Sequence, residues 1–352
     1  MNKLTKVGLS ALCGSLASVS AAQAGALSVS GGATATWVSN EGTTTGNPIG
    51  LSSGIAFAGS GELDNGTTFS LALTNKDQST YSVGSITLDM PSMGQIKISQ
   101  KTGAVGIDVK DDAMPTAWEE TDGAGLTVGH DKISGVGGSM ALQWKSPSVY
   151  GSTIAFAYAP RNNGAMVNDK GTSGSSAENK GSGYDVLLDL NTAGGIIPNV
   201  FAGYSTTDRS NNAKSMGTNT DAASDHEEAV AGAVFAIGPV TFGAQASVEW
   251  LGNEITATDV AGYRNVGYGI SFNINDDLSI SYGKNESKKG FVSQNVNGGA
   301  GTQLSDAESI QVAWTIGGAS IKIAQNKVNN QNYTSGTGSD RDGTTVALSL
   351  AF

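Results

Sequence analysis

The residues best placed to act on something outside the chain are carboxylates crowded into one polar stretch, Lys101 to Gly137. That stretch holds Asp108, Asp111, Asp112, Glu119, Glu120, Asp122 and Asp131. Fixed carboxylates at this density attract cations and repel anions, most strongly where low-dielectric walls confine the field. The same oxygen-rich set suits a calcium ion, which takes carboxylate and carbonyl ligands, or a plain solvated acidic loop. Bond-making chemistry is poorly provided for. Only two histidines occur, His130 and His226, both in or beside polar segments, and Asp225-His226 alone hints at a Ser-His-Asp arrangement. Zinc-ligand spacing is absent, and Ser339-Asp340-Arg341-Asp342-Gly343 holds only part of a calcium-loop motif. No enzyme is expected, and no cofactor beyond a calcium ion.

The segments that must position this loop alternate with the period of a strand. At the far end Val346, Leu348, Leu350 and Phe352 share one face while Thr345, Ala347, Ser349 and Ala351 share the other. Earlier segments repeat the pattern in pairs. Phe57 turns through Asn65-Gly66 to Phe69, Leu71 and Leu73; Ala229–Ile237 returns across Gly238-Pro239 as Val240–Val248; Ile310–Ile316 returns across Gly317-Gly318. Short turns of this kind favour positive φ, which glycine and asparagine supply. Between the pairs lie long polar segments, among them Ser39–Gly50, Lys101–Gly137, Ser205–Asp225, Asn285–Ser305 and Lys327–Asp342. Strands apolar on one face, joined alternately by short turns and long loops, describe a transmembrane barrel with lipid outside. Counting gives sixteen strands when Leu126–Val128 is left inside the third loop, and such barrels have even numbers. The expected fold is all-β: a 16-stranded antiparallel barrel with long outer loops, its final strand pairing with Leu27–Trp37 to close the cylinder.

Composition agrees. The chain has 352 residues, 20 Lys+Arg against 31 Asp+Glu and a formal charge of -11, without the basic clusters that nucleic acid requires. Hydrophobic residues make up only 38%, enough for one apolar face per strand. Residues 1–24 read as an export signal: Lys3 and Lys6, an apolar run from Val7 to about Val19, then Ala22-Gln23-Ala24. The barrel would occupy 25–352, and the only cysteine, Cys13, falls in the signal. No later segment offers the ~20 apolar residues of a membrane helix, since Ala229–Val248 is split by Gly238-Pro239.

This topology makes two further expectations. Trp37, Tyr81, Tyr158, Tyr184, Tyr204, Trp250, Tyr263 and Tyr282 fall at the loop ends of their strands, where an interfacial aromatic girdle belongs. Charged strand residues sit mainly on the polar face (Lys97, Lys145, Asp185, Asp189, Glu249, Lys322), with Glu228, Arg264 and Glu308 on the apolar face at strand ends.

In the order of Ala22-Gln23-Ala24, the short hairpins, the Met90–Gln100 turn and strand, the acidic loop, Trp144–Gly151 and Val346–Phe352, the chain resembles Gram-negative general porins of the alphaproteobacterial type. That resemblance implies a homotrimer in the outer membrane, surrounded by lipid and lipopolysaccharide, passing small hydrophilic solutes by diffusion. It also implies that the third loop folds inward and narrows the pore, placing Asp108, Asp111, Asp112, Glu119, Glu120 and Asp122 at the constriction. Related porins oppose this loop with arginines. Here no Arg precedes Arg161 and no basic residue lies between Lys6 and Lys76, leaving Lys97, Lys145 and Lys322 as candidates for the facing wall. Mild cation preference is the expectation. The competing reading is an exported acidic adhesin or surface-layer β protein without a pore.

Overall fold

A computed structural model describes residues 27–41, 46–77, 83–100, 105–164, 170–171, 181–191, 199–209, 224–252, 259–292, 302–336 and 338–351. The export signal at 1–24, Tyr81 and Phe352 lie outside these residues.

Alternating apolar and small polar residues form the sixteen strands expected. These are β1 (Ser28–Glu41), β2 (Ile49–Glu62), β3 (Thr68–Lys76), β4 (Val83–Met90), β5 (Gly94–Gln100), β6 (Ala141–Lys145), β7 (Thr153–Ala159) and β8 (Gly183–Leu190). The second half comprises β9 (Asn199–Thr207), β10 (His226–Ile237), β11 (Val240–Trp250), β12 (Val260–Asn273), β13 (Leu278–Phe291), β14 (Gln303–Ile316), β15 (Ala319–Asn329) and β16 (Arg341–Ala351). Each strand pairs antiparallel with its sequence neighbours, and β16 pairs with β1 to close the barrel. Trp37 stands opposite Val346 and Ala35 opposite Leu348 in that seam. Closure leaves no unpaired strand edge, which is what a hydrocarbon surround demands. Gly238 and Gly317, at positive φ, make two of the tight turns. Leu126–Val128 is no strand; it lies in the third loop, buried against Ala307 and Val328.

Outward positions are exposed and apolar: Leu51, Ile86, Ile98, Leu142, Val186, Ile270, Ile310, Ile323, Leu348 and Leu350 among them. Above them Trp37, Tyr184, Tyr204, Trp250 and Tyr282 also face outward, and the Tyr158 ring packs tilted against Tyr184 with centroids 5.0 Å apart. Tyr263 does not join this girdle. It stands opposite Glu249 and Lys289 on the inner face, and its ring meets Tyr333 at 5.4 Å. Tyr268 points outward instead.

Two further expectations are corrected. Glu228 is on the inner face, opposite Glu249 and Ser205, because the outward set on β10 is Ala229, Ala231, Ala233 and Phe235. The segment Asn285–Ser305 is not all loop, since β13 runs to Phe291 and β14 starts at Gln303. Its polar sequence still alternates: Lys284, Glu286 and Lys288 point outward, Asn285 and Ser287 inward. Outward charge is tolerated because these turns of strand rise past the Tyr282 level, and Lys284 there meets Glu308 at 3.2 Å. The rim is uneven. Strands β3 to β9 have five to nine residues, whereas β1, β2 and β10 to β16 have 11 to 14.

The mid-strand Ile323, opposite Val312 and Val346, tests the lipid face. Ile323→Arg is expected to cost about 2–4 kcal/mol in reversible unfolding from lipid vesicles. Ser320→Arg on the inner face should cost much less, and equal losses would contradict the assignment of faces.

Candidate functional site

The inner face carries a second layer, the third loop between β5 and β6. Its backbone follows the wall outward and returns, held by side chains that project from almost every strand of one half of the barrel. On the outward run Gly106 N–H donates to Gln143 Oε1 on β6 (2.8 Å) and Ile107 N–H to Asp185 Oδ2 on β8 (3.0 Å). Ala113 N–H then donates to Gln245 Oε1 on β11 (2.9 Å), and Ala117 N–H to Ser281 Oγ on β13 (2.8 Å). Trp118 and Glu119 both donate to Gln311 Oε1 on β14 (3.0 Å each). At the far end Thr345 Oγ1 on β16 donates to Ala124 O at 2.8 Å, and Asn326 on β15 donates to the same carbonyl. The return run is fastened by Asn332 N–H to Val128 O (3.0 Å) and Asn265 Nδ2 to Asp131 O (2.8 Å). Ser134 N–H meets Glu228 Oε1 at 3.1 Å, Gly135 N–H donates to Glu228 Oε2, and Val136 N–H reaches Asp185 Oδ2 at 3.1 Å.

Asp185 and Glu228 therefore hold both ends of the loop. Each is almost fully buried and accepts backbone N–H groups from it. Hydrogen bonds to a charged acceptor contribute roughly 1.5–3 kcal/mol each, and removing the acceptor would strand buried donors. The loop's own sequence is cut to fit. Gly106 and Gly135 have φ of 64° and 51°, and a Cβ at either would overlap the Asp185 carboxylate. Between the polar ties lie apolar pads: Ile107 and Ile133 against Phe201 and Val230, and Leu126 and Val128 against Ala307 and Val328.

The expected acidic residues do not act as one cluster. Asp111, Asp112, Glu120 and Asp122 gather around Lys132 of the same loop, whose ammonium lies 2.7 Å from Glu120, 2.8 Å from Asp122 and 3.5 Å from Asp112. That ammonium stands where a cation bridging those carboxylates would stand. Burial alone would depress the Lys132 pKa, but Asp122, Asp112 and Glu120 outweigh it and hold the lysine charged. Asp111 and Glu120 are pushed up, mainly by burial, with Lys132 opposing. Asp108 stands apart, near Asp111 and Asp185. Burial first, then those two like charges, raises its pKa from the usual 3.8 to about 7. Glu119 and Asp131 are exposed. His130, buried and held at 3.0 Å from Ser305 Oγ, is pushed below the usual histidine range chiefly by burial.

Of the three lysines expected opposite, Lys97 is half-buried on the inner face of β5, paired with Thr87 and Gln143. Lys322 is inward on β15, its ammonium 5.8 Å from the Trp118 ring of the loop and 3.4 Å from Ser349 Oγ. Lys145 ends β6 beside the Ser146-Pro147 turn, at the mouth rather than across from the loop. Two lysines among the loop's described residues bear more directly on its charge: Lys132 within the acidic group, and Lys110, 3.0 Å from Asp189 and 4.6 Å above the Phe201 ring. Neither was legible as a partner without the loop's path. A usable signal for that path did exist: apolar Phe201, Val230 and Val328 on an otherwise polar face mark where the loop lies. Inward glycines mark it too, since a Cβ on Gly203 would crowd Ile107 and one on Gly269 would crowd Pro115.

Gly135→Ala would force the loop off Asp185 and Glu228. It is expected to raise single-channel conductance and current noise and to expose the loop to protease. A variant with parental conductance and protease resistance would show that these carboxylates do not hold the loop.

No family model and no curated sequence matches this chain. Solved structures do. The Salmonella typhi OmpF complex with daunomycin superposes with a TM-score of 0.64 at 16% identity, covering 93% of this chain and 97% of the other. A loop-deletion form of OmpT, an outer membrane protein of Vibrio cholerae, gives 0.62 at 10%, covering 93% and 99%. The anion-selective porin from Comamonas acidovorans gives 0.58 at 12%, covering 93% and 100%. At these identities the likeness is one of fold, and the chain has the fold of the outer-membrane porins.

Proposed function

We propose that this protein is an outer-membrane channel through which small hydrophilic solutes and ions diffuse passively, with a mild preference for cations. The observation that carries the reading is the third loop, laid along the inner wall from β6 to β16 by hydrogen bonds between its backbone and wall side chains. A loop serving only adhesion would have no reason to be fastened inside the cylinder. The loop narrows the lumen from one side, and the wall it leaves uncovered carries small polar side chains: Thr34 and Thr36 on β1, Ser52 on β2, Ser70 and Thr74 on β3, Ser85 and Thr87 on β4. Lys97 on β5 is a basic group of that wall, and Lys76 at the end of β3 shares the inner-face register of Thr74.

Charge preference then follows from imbalance. Described residues of the loop carry seven carboxylates, from Asp108 to Asp131, against Lys110 and Lys132. Lys132 and Lys110 each neutralise neighbours, so the field is weaker than the acid count alone implies. Asp108, Glu119 and the remaining charge of the Lys132 group still bias the passage toward cations. Porins of this fold include an anion-selective example, so the preference must come from such side chains and not from the barrel. The uneven rim, low along β3 to β9, suits a homotrimer packed on that side, with lipid and lipopolysaccharide around the taller wall. A type within the Gram-negative porins, the alphaproteobacterial one, is supported by the resemblance of the sequence.

In a planar bilayer the protein should give stepwise conductance and a cation-selective reversal potential in a salt gradient. Replacing Asp108, Asp111 and Asp112 together by Asn should move that potential toward zero; an unmoved potential would refute the loop's role. Because Asp108 titrates near pH 7, it is neutral below and charged above that value. Cation preference should therefore rise between about pH 6 and pH 8, and Asp108→Asn alone should flatten the rise.

A further inference from the structure

His226 and Glu249 form, with the loop-holding Glu228, a buried group of ionisable side chains on the inner face. His226 opens β10, Glu228 follows two residues later on the same inner face, and Glu249 of β11 stands directly opposite Glu228. His226 Nε2 lies 2.9 Å from Glu249 Oε1 and 3.8 Å from Glu228 Oε1, and one donor atom from each residue lies within 4.8 Å of the others. Relative exposures of 5%, 3% and 8% place all three out of bulk water. From this geometry we infer that His226, Glu228 and Glu249 form a binding site for a divalent transition-metal ion of the zinc class, which fastens the returning limb of the third loop.

Three properties of the group suit such an ion. The first is charge. Two carboxylates facing one imidazole offer a divalent ion two oxygen donors that carry negative charge when ionised and one neutral nitrogen donor. The second is spacing. Ligands about 2.0–2.1 Å from a tetrahedral ion stand about 3.3 Å from one another, and the two measured separations fall on either side of that distance. The third is donor type. An imidazole with two carboxylates suits zinc, nickel or cobalt, whereas calcium takes six to eight oxygens. The Asp112, Glu120 and Asp122 group differs because Lys132 already supplies its cation.

Three protein ligands leave the remaining coordination position to water. Glu228 links the ion to function, since it accepts the Ser134 and Gly135 N–H groups as well. A carboxylate fixed by a metal can no longer swing away from the loop. Occupancy therefore stiffens the loop against the wall, and metal binding and loop release are coupled.

The test is titration of the purified full-length barrel, in detergent, with zinc chloride and with cobalt chloride. The expected result is one zinc ion bound per chain, an intense visible absorption with cobalt characteristic of low coordination number, and quieter single-channel current when zinc is added. His226→Gln and Glu249→Gln, each checked for heat-modifiable migration as a folded barrel, should weaken zinc at least 10-fold and remove the effect on current. Two variants are used so that a folding failure in one leaves the other decisive. Zinc binding that is the same in the parent and in a folded variant would overturn the inference, as would calcium binding the site as tightly as zinc.

Discussion

Two buried carboxylates, Asp185 and Glu228, govern this molecule by accepting hydrogen bonds from the backbone of the third loop. A barrel of sixteen strands encloses more space than side chains can fill, so what lies inside must be fastened to the wall. The fastening works because a carboxylate accepts several N–H groups at once. Asp185 takes Ile107 and Val136 from opposite limbs of the loop, and Glu228 takes Ser134 and Gly135. The described residues of the loop pair their own amides in a short 3-10 turn at Gly106–Lys110 and in isolated turns such as Glu120–Gly123 and Ser134–Gly137. Without these acceptors, and without Gln245 and Gln311 further along, a row of buried backbone groups would be unsatisfied. Glycine at 106 and 135 is the corresponding requirement on the loop side.

Fold and site are thus two uses of the same alternation. Outward residues face lipid and need only be apolar. Inward residues divide into those beneath the loop and those that face open lumen. Beneath the loop the wall is mixed, with carboxylates and amides that bind backbone and apolar pads such as Phe201 and Val328. Facing the lumen it is small and hydroxylated. The charge a passing ion meets depends on which carboxylates this arrangement leaves unneutralised. Lys132, among Asp112, Glu120 and Asp122, removes part of that charge and also stiffens the loop.

Strand number, closure and the outward faces were legible from period-two patterning, because lipid enforces that pattern on every strand. The place of Leu126–Val128 was legible too, from the parity that closure imposes. Glu228 was not, since a run of alanines on β10 leaves the two faces nearly indistinguishable by hydrophobicity. The upper part of β13 read as loop because Lys284, Glu286 and Lys288 are outward charges, and the pattern assumed lipid beyond the height where it ends. Tyr263 fell in the right band but on the inner face, where Tyr333 from the loop between β15 and β16 meets it. Inside the third loop the acidic residues were plain, but their partners were not. Which carboxylate meets Lys132 or Lys110 depends on the path of a segment with no repeating pattern.

The width of the passage depends on inward carboxylates holding the third loop against the wall. Single-channel conductance of the double variant Asp185→Asn, Glu228→Gln, in a barrel that still migrates as folded, addresses this most directly. A larger and noisier conductance is expected, because the loop leaves the wall once its amides lose their charged acceptors. A conductance and noise level equal to the parent's would contradict it.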